Sequence, residues 1–181
     1  LKAAASSDGI VRKFDSKINM SVQNVTESQQ FKRWFGDWQN HPERASKVVN
    51  ADGTPKVVYH GTSEQNGSFT VFDESKAVKR GGLGFKALGK GNYFTATPLT
   101  GNERYGSRVI EAYLNIRNPL TVEAGTTFRD TAAEIIGESA HEMSYDELQA
   151  EMRERGYDGV IQRNKAGDVN IAVAFDSEQI K

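Results

Sequence analysis

The chain has 181 residues, a length that suits one domain, since two would each be small for a self-sufficient core. With 37% hydrophobic and 26% charged residues it is polar but foldable rather than disordered, and a net charge of -1 supplies no global basic field for nucleic acid. It has no cysteine, which excludes a disulfide scaffold, a thiolate metal site and cysteine nucleophile chemistry.

His41, His60 and His141 are too widely spaced for a helical metal-binding pair, so no metal site is expected. No apolar run approaches the ~20 residues of a membrane span. Residues 1–25 are small, polar and weakly periodic, and read as a linker or surface arm. The chain opens on Leu1 with neither a Met nor an apolar leader, and reads as a segment cut from a longer protein. The domain proper is expected over 26–181.

Its first element is a helix. Thr26 and Gln29 form a T-x-x-Q capping box, and Phe31, Trp34, Phe35 and Trp38 recur at helical spacing, which predicts both tryptophans on the buried face. Short runs rich in Val, Ile, Tyr and Phe then predict strands at 56–61, 68–72, 91–97, 108–116, 120–123, 159–163 and 170–176. Helices are expected near 129–139 and over 144–155, the second opened by a Ser144-x-x-Glu147 capping box and closed by Gly156. Strands, inserted helices and strands again argue for an α+β fold rather than alternating βαβ units.

Residues 81–91 are glycine-rich. Gly84-x-x-x-x-Gly89-Lys90 approaches a phosphate-binding loop, but Gly91 stands where the magnesium-ligating Ser or Thr belongs, and a strand-like run follows instead of a helix. Lys76, Lys79, Arg80, Lys86 and Lys90 make this region basic. It reads either as a solvated loop or as a lid that meets a pyrophosphate or an RNA backbone.

Three separated pieces carry a family resemblance: Tyr59-His60-Gly61-Thr62, Gly89-Lys90-Gly91-Asn92-Tyr93-Phe94-Thr95 followed by Tyr105, and Asn170-Ile171-Ala172-Val173-Ala174-Phe175. In this order they resemble the diphtheria-toxin-like and poly(ADP-ribose) polymerase-like ADP-ribosyltransferases, which carry a His-Tyr-Glu triad. The wider frame runs from Phe31-Lys32-Arg33-Trp34-Phe35-Gly36-Asp37 to Tyr157-Asp158-Gly159-Val160-Ile161. It is similar to the ADP-ribosyltransferase domains of phage polyvalent proteins and bacterial polymorphic toxins.

The resemblance implies two packed antiparallel sheets around an NAD cleft with flanking helices, and NAD as the substrate. It implies that His60 donates to the adenosine-side ribose hydroxyl and that the Gly61 backbone pairs with the nicotinamide carboxamide. Thr62 would support the ribose, Tyr93 and Tyr105 would sandwich the nicotinamide ring, and Phe94 and Asn102 would complete the cofactor contacts. Such a site fixes the leaving ring and the ribose while an oxocarbenium-like sugar forms; stacking on a cationic nicotinamide is worth about 1–2 kcal/mol when desolvated.

In this resemblance the position of the triad glutamate falls on Ile171. The third catalytic position is therefore apolar, and three readings remain: single-unit transfer in which an acidic acceptor supplies the carboxylate, recruitment of a nearby acid such as Asp168 or Glu178, or binding without catalysis. Single-unit transfer is preferred, because no base is evident to activate a growing chain. The expected activity is a mono-ADP-ribosyltransferase (a glycosyltransferase) of toxin or effector type acting on protein or RNA. The alternatives are an NAD glycohydrolase and a silent ADP-ribose- or RNA-binding module. Toxin membership implies a bacterial source, delivery into a target cell as part of a larger protein, and an immunity protein as partner.

Overall fold

A computed structural model describes residues 25–62, 72, 85–98 and 108–181, with backbone alone at 85 and 86. Most of the 1–25 arm, the expected strand at 68–72 apart from Phe72, and the cations Lys76, Lys79 and Arg80 lie outside the described residues. The elements are α1 (Gln29–Phe35), a 3₁₀ turn at Pro42–Arg44, β1 (Val58–Thr62), α2 (Phe85–Leu88), β2 (Asn92–Thr95), β3 (Arg108–Ala112) and β4 (Pro119–Val122). They are followed by α3 (Phe128–Ile136), a 3₁₀ turn at Glu138–His141, α4 (Tyr145–Glu154), β5 (Gly159–Arg163), β6 (Val169–Ala174) and a last turn at Ser177–Gln179.

The helix ends follow local chemistry. Ser144 and Glu147 cap α4 reciprocally as expected, and Thr127 with Asp130 does the same for α3. At α1 the cap is Ser28, whose hydroxyl accepts from the Phe31 amide at 3.1 Å, and not Thr26. The helix stops at Gly36, so Trp38 lies beyond it. Phe31 and Phe35 take the deep positions, stacked at 5.0 Å, whereas Trp34 and Trp38 are only half-buried at the rim. The expectation that both tryptophans would be buried is corrected: the early stop leaves Trp38 off the helix, and Trp34, though within it, stays at the rim.

The six strands form one sheet in the order β3-β1-β2-β6-β5-β4. Among the described residues this single sheet stands in place of the two antiparallel sheets expected. β2 is paired on both sides, to β1 and to β6, and so joins what would have been separate layers. β4 and β5 are parallel, because the chain crosses through α3 and α4 between them and returns in the same direction.

The joint between β1 and β2 is thin. Tyr59 and Thr95 are its single register pair, whereas β1 and β3 share five pairs and β2 and β6 share four. One face of the sheet packs under α3 and α4 through Leu120, Phe128, Leu148, Met152, Val160 and Val173. The other packs Val58, Phe94, Ile161, Val169 and Ala172 against Val48, Leu114 and Ile116.

Candidate functional site

The Gly89-Lys90-Gly91 turn sets the entry to β2. Gly91 has φ +145, and a Cβ there would lie 2.5 Å from the Ala174 carbonyl oxygen and 2.6 Å from Val173 Cγ1. Gly89 has φ +79, and a Cβ there would meet the Phe128 ring at 3.2 Å. Both positions need the conformational range and the small size of glycine. Lys90 between them is held by α4: its ammonium pairs with Asp146, and its carbonyl accepts from Gln149 Nε2 at 3.2 Å. In place of a free lid, residues 85–90 therefore form a short helical turn and a tethered corner.

β2 then carries alternate residues to opposite faces. Tyr93 faces the α3–α4 side, half-buried against that core, and its hydroxyl donates to the Gly89 carbonyl at 2.5 Å. Burial pushes the phenol pKa up, so the group stays protonated. Phe94 faces the other way and is fully buried. It backs the His60 imidazole at 5.4 Å between centroids, and Phe72 meets the same imidazole edge-on at 5.1 Å.

His60 bridges the place where β1 and β2 part. Its Nδ1 lies 2.8 Å from the Tyr93 carbonyl oxygen. A carbonyl only accepts, so Nδ1 carries the proton. Burial lowers the His60 pKa below its ordinary 6.5, partly opposed by that same hydrogen bond. The ring is therefore neutral at pH 7, and Nε2 keeps a lone pair. The His60 and Tyr93 side chains leave opposite faces of the sheet and are linked through the Tyr93 backbone. Gly61 pairs with Val109 on the β3 side and has no register partner on the β2 side; Thr62 is buried on the His60 face at 6% exposure.

Ile171 lies across from Thr95 on one side and Gln162 on the other, half-buried on the face that carries Tyr93. A register shift at Gln162/Arg163 leaves Asn170 as the extra residue of a bulge, with its amide 3.5 Å from Gln162 Oε1. Of the two acids considered as substitutes, Asp168 lies in the tight turn before β6, where its backbone amide donates to Asn164 Oδ1 at 3.0 Å, and Glu178 lies in the turn after it, where its carbonyl accepts from Trp34. Asn102 and Tyr105 lie outside the described residues. Among the described residues, one cavity of about 540 Å³ lies beside Trp34 and Gln179, and another of about 500 Å³ is lined by Trp38, Lys56, Tyr59, Ala96 and Tyr113, next to the Tyr59–Thr95 pair.

Residues 50–181 match the family described as ADP-ribosyltransferase in polyvalent proteins. The chain belongs to that family. The matched span contains β1, β2 and β6, and with them His60, Tyr93 and Ile171. A comparison with curated proteins returns no match. Membership of this ADP-ribosyltransferase family gives the transferase class and implies NAD as the substrate. Two neighbours of Tyr93 and Ile171 were given no role by their motifs. Asn92 looked like an ordinary strand residue beside Tyr93, and Gln162 becomes relevant only through its pairing with Ile171.

Proposed function

We propose that this ADP-ribosyltransferase is a mono-ADP-ribosyltransferase domain of effector or toxin type, acting on a macromolecular acceptor, protein or RNA. NAD binds across the gap between β1 and β2. The observation that carries the reading is the His60–Tyr93 link at 2.8 Å, at the point where the two strands cease to pair. It anchors an imidazole on one face of the sheet and a phenol ring on the other, with an unladdered stretch of backbone between them.

The chemistry follows from the groups present. The nicotinamide–ribose C–N bond breaks with its electron pair going to the ring nitrogen, which leaves positive charge on the sugar. Tyr93 stacks on the departing ring, held in orientation by its hydrogen bond to Gly89. His60 receives a hydrogen bond at Nε2 from a ribose hydroxyl, the reverse of the direction expected from sequence, because its proton is committed to Tyr93. Ile171 offers no base, so the acceptor oxygen arrives already anionic, as a protein carboxylate or a terminal RNA phosphate. Its attack forms the new C–O bond with no proton to remove.

The test is incubation with labelled NAD and a lysate, followed by protease or nuclease treatment. Label is expected in one macromolecular fraction and lost in His60→Ala and Tyr93→Ala. Undiminished labelling by both folded variants would overturn the site. Free ADP-ribose formed at full rate without acceptor would identify a glycohydrolase instead.

A further inference from the structure

Four polar side chains are buried among the described residues: Thr26, Ser46, Thr62 and Asn92. Ser46 shows how the fold treats such a group. Its hydroxyl donates to the Leu114 carbonyl at 2.7 Å and accepts from the Val48 and Ile116 amides at 3.2 and 3.1 Å. Asn92 is different. It is 4% exposed, and its Nδ2 is the one buried side-chain nitrogen or oxygen among the described residues with no hydrogen-bond partner.

A dry, unbonded amide donor costs stability, and a Val or Ile at the same strand position would not. The location of Asn92 accounts for it. Counting from the Tyr59–Thr95 pair, three steps along β1 reach Thr62 and three back along β2 reach Asn92. By strand alternation Asn92 shares a face with Phe94, and so with His60, whose ring packs on Phe94. Asn92 Nδ2, the free Nε2 of His60 and the buried Thr62 thus bring polar groups to an otherwise apolar face at the parting of the strands.

We infer that Asn92 is a ligand-contacting residue whose Nδ2 donates to an acceptor oxygen in the ribose–pyrophosphate portion of the bound dinucleotide. The inference rests on the NAD reading above. Amide and imidazole groups match sugar and phosphate oxygens, while the Tyr93 ring on the opposite face suits the flat base that carries no such oxygens. The unliganded fold tolerates an unmet donor that binding satisfies, a trade of stability for function.

The experiment compares wild type with Asn92→Leu, and with Asn92→Val should Leu overfill the site. Urea midpoints are measured without ligand, and NAD and ADP-ribose binding by calorimetry. Expected are a ligand-free midpoint equal to or above wild type and affinity for both ligands weaker by about tenfold. Unchanged affinity, or a lower ligand-free midpoint in both variants, would overturn the inference and assign the amide a structural role. Failure of wild type to bind either ligand would sink the NAD reading itself and this inference with it; normal wild-type binding with normal variant binding would sink this inference alone.

Discussion

Replacing Gly91 with alanine tests how tightly the turn before β2 is constrained. The position has φ +145, where an L side chain is strained by about 1–3 kcal/mol. The new Cβ would also lie 2.5 Å from the Ala174 carbonyl oxygen and 2.6 Å from Val173 Cγ1. Both neighbours belong to β6, whose ladder to β2 pairs Asn92 with Ala174 and Tyr93 with Val173. Relief requires opening that ladder, a packing cost of about 1–3 kcal/mol. The sum is about 4 kcal/mol, which at a urea slope of about 2 kcal/mol/M moves the midpoint down by about 2 M. Gly53→Ala is the control, because its φ is +84 but nothing lies within 4 Å of the added Cβ. It carries only the backbone strain, about 1–2 kcal/mol. If the two variants shift the urea midpoint equally, the close approach of β6 to Gly91 is not what the position demands, and the reasoning fails.

Other outcomes follow from the site. His60 has a folded pKa below its unfolded value, so its contribution to stability is complete above about 6.5 and is lost as pH falls through the depressed folded value, because the unfolded imidazole takes the proton first. Between pH 7.5 and 5, urea midpoints should fall more steeply for wild type than for His60→Gln, and equal slopes would refute this. Tyr93→Phe loses the hydroxyl's bond to Gly89 and about 1 kcal/mol of stability by denaturation but keeps NAD affinity within about threefold; a large loss of affinity would show that the hydroxyl, not the ring, meets the ligand. Ile171→Glu restores a carboxylate beside Thr95 and should raise NAD cleavage on the order of a hundredfold, measured as nicotinamide release. A folded variant with unchanged cleavage would move Ile171 away from the ribose.

What was legible in the sequence was mostly local. Ser144 and Glu147 cap one another within a single turn, and four residues suffice to read that. The α1 start was misplaced because Thr26 and Ser28 both have cap chemistry, and only the Phe31 amide position decides between them. Helical spacing made Trp34 and Trp38 equivalent to the phenylalanines, but Gly36 ends the periodicity before Trp38. Six of the seven expected strands overlap observed ones, the seventh (68–72) lying outside the described residues apart from Phe72, whereas the parallel pairing of β4 with β5 and the double pairing of β2 depend on contacts far apart in sequence. At the candidate site, His60 and Tyr93 were singled out by their motifs, and the fold links them through one hydrogen bond. The proton direction on His60 was not, since it depends on a carbonyl thirty-three residues away. Asn92 was invisible for a similar reason: a polar residue in a strand reads as outward-facing until its neighbours are known.

The single Tyr59–Thr95 rung has a mechanical consequence. β1 and β3 form one stiff ribbon, and β2, β6, β5 and β4 form another. Both rest on the apolar layer that contains Val58, Phe94 and Ala112, so that layer acts as a bearing under a joint of one backbone rung, the Thr95 hydroxyl at 3.3 Å from the Tyr59 carbonyl, and the His60 tether. Amides of the two ribbons should exchange with solvent as separate cooperative units. A ligand seated across the joint would couple them, so occupancy would be registered as stiffness between the halves of the sheet.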